Sequence, residues 1–352
     1  MLKERVGEGV ELCAVVKANG YGHGMIQSAE AALRGGASGL AVAAATEAFE
    51  LRQSLGDVSI LIMGALTGAE LDVALQARSE VSVWREGFLE TVAARSAMLG
   101  FRPRIHVKYD TGMGRLGSRD GAAVVELVER CAADERVELA GLWTHFATAD
   151  EDDDAFLREQ LDRFVDVARP LRERHPGLVL HAANSAATIR GEDFHLDMVR
   201  CGVALYGIDP FGRDAAARGL EPALSLHSYV ADVKRFQAGD SVGYGRTWAA
   251  GGATIIGVVP IGYGDGVRRG LSNEGDVLVG GVRRPLVGTI SMDNITVDLG
   301  PDADFEPGEP VVLLGRQGSE ELSAEEWARL LGTINYEITC GISPRVPRAY
   351  QW

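Results

Sequence analysis

The chain has 352 residues, 46% hydrophobic and 24% charged, an ordinary soluble composition long enough for two domains. Its formal net charge is −15, from 35 basic and 50 acidic side chains, which argues against nucleic acid or an anionic membrane as a partner. No apolar run nears the roughly 20 residues of a membrane span, and MLKERVGEGVELC carries no signal-peptide pattern. Cys13, Cys131, Cys201 and Cys340 have no metal-ligand spacing and read as free thiols in a reducing cytoplasm. The seven histidines form no HExxH-like cluster, so no metal site is expected.

Up to residue 209 the pattern alternates. Apolar runs at 12–18, 39–45, 60–65, 80–86, 104–110, 138–146, 178–185 and 198–207 predict eight strands. Amphipathic stretches lie between most of them, clearest in MIQSAEAALRGG, TEAFELRQSL and DAFLREQLDRFVDVARPLRERH. Eight near-continuous apolar strands, each followed by a helix, predict a parallel (β/α)8 TIM barrel over 1–209; an open doubly wound sheet fits the unit count less well. From 210 to 352 strand-like runs dominate: LSLHSYVADVKRF, ATIIGVVPIG, GDVLVG, RRPLVGTISMDNITVDL and EPVVLLG. These predict a second, mostly antiparallel β domain, with one helix in SAEEWARLLG opened by a serine cap.

Catalytic groups of a parallel barrel project from the carboxyl ends of its strands. Here those ends are polar: Lys17 after the first, Lys108 and Asp110 on the fifth, His145 on the sixth, Asn184 and Ser185 on the seventh, Arg200 on the eighth. Each alone has a plain structural explanation; together they mark one mouth. Arg200-Cys201-Gly202-Val203 brings backbone N–H groups to a strand end that glycine leaves open, suiting a phosphate, with Ser185 as a neighbouring donor. A lysine that bonds a phosphorylated aldehyde cofactor uses all of these groups.

The motifs AVVKANGYGHG, HVKYDTGMGRLG, THFATADE, HAANSAA, MVRCGVALYG, VGYGRTW, IGYGDGVRR, SMDN and ISPRVPR follow one another in the order seen in bacterial alanine racemases, which the chain resembles over its whole length. The resemblance implies pyridoxal 5′-phosphate on Lys17, with Tyr21, Asn184, Ser185 and the backbone at Gly202 and Val203 holding it and Arg200 against its ring nitrogen. A cation there disfavours ring protonation, which favours reprotonation of the substrate over transamination. It implies two bases on opposite faces, Lys17 and Tyr263, with His145 and Arg200 behind the tyrosine. Arg115, Met292 and Asp293 are implied to hold the substrate carboxylate. Lys108 matches a lysine carbamylated in some relatives, an ordinary ion pair with an aspartate being the alternative. A homodimer with shared active sites is implied, with alanine as the small amino-acid substrate, no nucleic acid or membrane partner, and a cytoplasmic role supplying D-alanine for peptidoglycan.

Three departures bear on substrate range and activity. The chain starts 16 residues before Lys17, where relatives carry an opening strand and helix; a missing strand leaves a sheet edge unpaired. Pro344 stands where many relatives have a tyrosine, and Thr289 where many have an arginine. Both changes predict a wider entrance, and with it a broader amino-acid or serine racemase as an alternative. A cofactor-binding chain with impaired turnover is the other.

Overall fold

The structure is a computed structural model that describes residues 1–351 and comprises two compact units, Met1–Leu205 and the chain from Tyr206 onward. In the first, eight parallel strands close into a barrel in sequence order. They are β1 Glu11–Val15, β2 Gly39–Val42, β3 Ile60–Ile62, β4 Glu80–Val83, β5 Arg104–Lys108, β6 Glu138–Trp143, β7 Val179–His181 and β8 Met198–Cys201. Closure runs through β1 and β8, with Glu11 opposite Met198 and Ala14 opposite Cys201. Helices follow the strands and bury their apolar faces on the barrel's outside. Val124, Leu127 and Val128 of Gly121–Ala133, with Phe164, Ala168 and Leu171 of Ala155–Arg174, pack with Val81, Ile105, Val107 and Leu142 of the strands. A short helix, Leu2–Val6, precedes β1. No helix of the described residues is long and apolar enough to cross a membrane.

The strands are shorter than the apolar runs that predict them. β7 ends at His181, so Asn184 and Ser185 lie beyond it, Ser185 opening the helix Ser185–Arg190. His145 lies two residues past the end of β6, and Lys17 two past the end of β1. Ladder pairing stops short of the rim, while the residues that follow stay apolar enough to lengthen the sequence signal.

The second unit holds β9 Leu226–Tyr229, β10 Asp232–Phe236, β11 Ser241–Val242, β12 Trp248–Ala249, β13 Thr254–Val259, β14 Asp276–Val279, β15 Val282–Pro285, β16 Ile295–Gly300, β17 Pro310–Gln317 and β18 Glu320–Leu322. All their pairings are antiparallel: β10-β13-β16 form one sheet, β11-β12 another, and β15-β14-β17-β18 a third that β9 joins through β17. The long run RRPLVGTISMDNITVDL is two strands rather than one. Between β15 and β16 it leaves the sheet at Gly288, whose φ is +78°, and turns at Ser291, whose hydroxyl accepts the Asn294 N–H. The helix Ala324–Leu331 is capped as the sequence predicts, Ser323 accepting the Glu326 N–H at 3.2 Å. Its Trp327 packs into a core with Val277, Val297, Leu313 and Ile338.

Gly207 begins this unit with a φ of +72°, and a Cβ there would sit 1.6 Å from the Glu221 carbonyl oxygen. Neighbouring backbone is fixed by the Ala223 N–H on the Tyr206 carbonyl at 3.0 Å. The substitution Gly207→Ala is therefore expected to cost about 3 kcal/mol or more in urea denaturation, from strain plus a backbone clash; an unchanged midpoint would contradict the rigidity of this turn.

Candidate active site

β1 is the natural place to start, because the chain leaves it in an unusual way. The Val16 N–H still pairs with Ala41 of β2 at 2.9 Å. Lys17 follows, and then Ala18, Asn19, Gly20 and Tyr21 are all left-handed, with φ of 54°, 53°, 61° and 52°. For L residues this conformation costs about 1–2 kcal/mol each, so it must be held by its surroundings. The Gly20 N–H donates to Val16, and Gly22 N–H to Ala18. Asn19 Oδ1 accepts the Met25 N–H at 3.0 Å and so starts the helix Met25–Arg34. His23 Nδ1–H serves the carbonyls of Gly20 and Tyr21 at 3.1 and 3.0 Å. The glycines after the lysine answer to this geometry: at Gly20 a Cβ would stand 2.7 Å from Ser28 Oγ.

The turn carries buried Tyr21 across to β8. A Cβ at Gly202 would lie 2.2 Å from the Tyr21 hydroxyl oxygen, so only glycine fits there. The N–H groups of Gly202 and Ala204 converge on a single oxygen, Ser185 Oγ, at 2.9 and 3.3 Å. Two backbone donors, a serine hydroxyl and a phenol around one glycine gap are the donor set of a phosphate site. Val203 lies between the two amides in sequence. Asn184 Oδ1 accepts the Ala187 N–H at 3.0 Å and caps the helix that presents Ser185.

Inside the barrel the guanidinium of Arg200 is fully buried. Its Nη1 donates to His181 Nδ1 at 2.9 Å; its Nη2 donates to the carbonyls of Thr144 and Ala182 at 2.8 and 3.0 Å and to His145 Nδ1 at 3.3 Å. The chain of bonds continues from His181 Nε2 to His106 Nδ1 at 2.9 Å, and from His106 Nε2 to Glu80 Oε2 at 2.6 Å. With hydrogen on both Nε2 atoms every link has one donor and one acceptor; the tautomers are assigned from this network. Desolvation holds Arg200 down to about 10 and His181 well below its ordinary range, the latter helped by Arg200 and His106. Burial alone would raise Glu80, but the His106 hydrogen bond, Arg104 and Ser59 outweigh it and hold it at about 2.

Four cations meet near the mouth. Lys108 is buried, its Nζ 3.9 Å above the centre of the Trp143 ring, and Arg200 Cζ is 4.7 Å from the same ring. Desolvation, then Arg200 and Arg115, hold Lys108 down to about 7 against the pull of Asp110, with Lys17 adding to the repulsion. Desolvation and the same cations, with Lys108, keep His145 well below the usual imidazole range. Asp110 has been turned to its own loop, where Oδ1 accepts the Gly112 and Gly114 N–H groups at 3.1 and 3.0 Å. The first unit therefore brings Lys17, Lys108, Arg115, His145 and Arg200 into mutual electrostatic range, beside the Tyr21–Ser185–Gly202 cradle. Such a field suits an anionic ligand, and the cradle's donors suit a phosphate on it.

In the second unit Tyr263, Met292 and Asp293 come together. The Tyr263 N–H donates to the Ser291 carbonyl at 3.0 Å and Gly264 N–H to that of Met292 at 2.9 Å. Gly262 is obligatory, since a Cβ would fall 2.3 Å from the Ser291 oxygen. Arg345 clamps both turns, pairing with Asp265 at 3.3 Å and Asp293 at 2.8 Å. Pro344 lies in the same bend, where the Ser343 N–H reaches the Asp265 carbonyl at 2.9 Å. Tyr263 is 44% exposed and Tyr244 of VGYGRTW 74% exposed, between glycines with φ of +73° and +74°. Thr289 packs by Gly243 and shares a hydroxyl contact with Thr247 at 3.2 Å.

Sequence reading missed Glu80, His106, His181, Trp143 and Tyr244. The signal for the first three was present as polar residues inside otherwise apolar strands, EVSV, RIHVK and VLH.

The two family models of the alanine racemases match almost the whole chain: the N-terminal domain over residues 1–210 and the C-terminal domain over 223–350. The alanine racemase of Desulforamulus reducens is 40% identical, the alignment covering 99% of this chain and 94% of that protein. That of Geobacillus stearothermophilus is 42% identical, over 99% and 89%. Among solved structures, alanine racemase from Streptomyces lavendulae superposes with a TM-score of 0.94 at 39% identity, covering 100% and 93% of the two chains.

Lys108 gives a pH signature with a definite sign. The unfolded lysine keeps its proton up to 10.5 and the folded one only to about 7. Between these values the unfolded state binds more protons, so this group's destabilisation is full below pH 7 and fades as pH rises towards 10.5. The substitution Lys108→Met is expected to stabilise the fold by a few kcal/mol at pH 6, on the order set by such a shift, and by progressively less at pH 8 to 10. Urea denaturation across that range checks it; a difference independent of pH would mean that Lys108 titrates normally.

Proposed function

Because this chain belongs to the alanine racemase family, and is therefore an amino-acid isomerase, we propose that it interconverts L-alanine and D-alanine with pyridoxal 5′-phosphate held on Lys17, supplying D-alanine for peptidoglycan. The observation that carries the reading is the convergence of Lys17, Lys108, Arg115 and Arg200 beside the Tyr21–Ser185–Gly202 cradle. When bound, the cofactor supplies an electron sink that acidifies the substrate α-hydrogen. Everything else is asked of the chain's own residues.

The backbone at Gly202 and Val203, with Asn184 and the hydroxyls of Ser185 and Tyr21, holds the phosphate in this reading. Arg200 keeps a positive charge at the ring nitrogen. It can stay charged in a buried place because carbonyls and imidazoles accept its hydrogens. Arg115 and the Met292 backbone N–H hold the substrate carboxylate, with Asp293 fixed by Arg345 behind them. Lys108, held down to about 7, more readily presents the neutral amine that carbamylation requires, and a carboxylate formed there would lie within electrostatic range of Arg115.

Inversion needs proton exchange on two faces of the α-carbon. Lys17 moves the proton on one face, and a tyrosine of the second unit on the other. The motif resemblance assigns this tyrosine to Tyr263. Exposure favours Tyr244, which stands 74% free of its own chain against 44% for Tyr263. A phenol that must serve the barrel of another copy has to project from its own unit, so a homodimer with shared sites belongs to this proposal. Thr289 and Pro344, in place of larger side chains, favour some turnover of serine.

The test is isotope exchange. The purified protein, loaded with pyridoxal phosphate, is incubated with each alanine enantiomer in D₂O, and α-deuteration and optical inversion are followed. In Lys17→Ala both are expected to vanish. One of Tyr263→Phe and Tyr244→Phe is expected to lose about 10²–10⁴ in inversion while still exchanging the proton of one enantiomer. That variant names the base. If both invert at the parent rate, the tyrosine role is wrong; if the parent protein inverts neither enantiomer, the activity is wrong.

A further inference from the structure

Glu47 lies one barrel unit away from Lys17, on the helix Ala45–Leu55 that follows β2. One carboxylate oxygen accepts the Ala18 N–H at 2.7 Å. The other accepts the Ala43 and Ala44 N–H groups at 3.0 and 3.1 Å. Ala18 is the residue after Lys17 and the first of the four left-handed residues. Within the turn the Gly20 N–H donates to the Val16 carbonyl and the Gly22 N–H to that of Ala18; Asn19 Oδ1 on Met25 and His23 on Gly20 and Tyr21 hold its far end. At the lysine end the ladder stops at Val16, and the Ala18 N–H is carried to the neighbouring unit by the Glu47 carboxylate.

We propose that Glu47 is a positioning residue for Lys17. By tying the Ala18 N–H to the β2 loop, it fixes the entry to the strained turn and so the direction in which the lysine leaves the barrel rim. This rests on the reading that Lys17 bonds the cofactor. Glutamate suits the task because both its oxygens accept. Glutamine carries one acceptor and one N–H2, so in either orientation it sets donor against donor on one side of the bridge. Ala18 and Asn19 are exposed, so their own side chains add little burial to hold them.

The decisive variant is Glu47→Gln, with Glu50→Gln on the same helix as an exposed control. Amide exchange of the cofactor-free chain is measured first. In the parent, the Ala18 amide is expected to be protected to the level of Val16. In Glu47→Gln it is expected to exchange about tenfold or more faster, while core amides such as Leu40 keep their rates. The second readout is the rate at which added pyridoxal phosphate bonds to Lys17, followed by visible absorbance; it is expected to fall about tenfold or more. The kcat for alanine should fall with it at nearly constant KM, and Glu50→Gln should change none of these. Ala18 exchanging at an unprotected rate in the parent would overturn the proposal even if the variant does not fold. So would parent-like exchange and bonding in Glu47→Gln. If pyridoxal phosphate does not bond to Lys17 in the parent, the cofactor reading falls by itself, and the exchange ratio still decides the brace.

Discussion

A buried guanidinium organises the barrel. Arg200 is 3% exposed and meets carbonyls and imidazoles where a carboxylate would be usual. An unpaired buried charge costs several kcal/mol, so its environment has to be complete. The sequence meets the demand by spending core positions of other strands on polar residues. His181 from β7 accepts one N–H, His106 from β5 orients His181, and Glu80 from β4 orients His106. The negative charge that balances the arginine therefore sits two imidazoles away. Arg200 stays charged without neutralisation at the mouth, so its field remains directed at whatever ligand enters.

The same economy appears at the rim. Lys17, Lys108, Arg115 and Arg200 repel one another, and an added carboxylate would relieve this by simple pairing. Instead, Asp110 is turned to the glycines of its own loop, and the strain falls on Lys108, whose proton leaves near neutral pH. One weakened cation relaxes the cluster while three remain. Trp143 makes this tolerable, offering a π face to both Lys108 and Arg200 and a parallel stack to His181.

The architecture was legible in the sequence because it is periodic. Eight apolar runs with intervening amphipathic stretches announce a parallel barrel, and glycine-punctuated runs after residue 209 announce antiparallel sheets. Lys17, Lys108, His145, Ser185 and Arg200 were legible because charge at the end of an apolar run breaks that pattern. Strand ends were not. The rim loops remain apolar, so Ser185 read as strand when it opens a helix. Glu80, His106 and His181 were hidden for the opposite reason. A polar residue inside a strand reads as an isolated core exception, and only closure of the barrel brings three strands' exceptions into one line. The left-handed turn was hidden too, since Ala18 and Asn19 carry no mark of their conformation.

What separates the two units chemically is rigidity against reach. In the barrel, three of the groups proposed to touch the cofactor are locked by something else: Tyr21 by a strained turn, Ser185 by a capped helix, Arg200 by the histidine line. The second unit's candidates stand on glycine-flanked turns, Tyr263 between Gly262 and Gly264 and Tyr244 between Gly243 and Gly245. Glycine there allows the backbone to come close to a neighbouring loop, as Gly262 does to Ser291, and leaves the phenol to project. Electrostatic preorganisation needs fixed dipoles, because any reorganisation during reaction is lost stabilisation. Proton exchange needs a group that can approach one carbon from outside. In the proposed homodimer, a fixed cationic floor with a phenol supplied from another surface would satisfy both demands, where a single rigid cavity satisfies only the first.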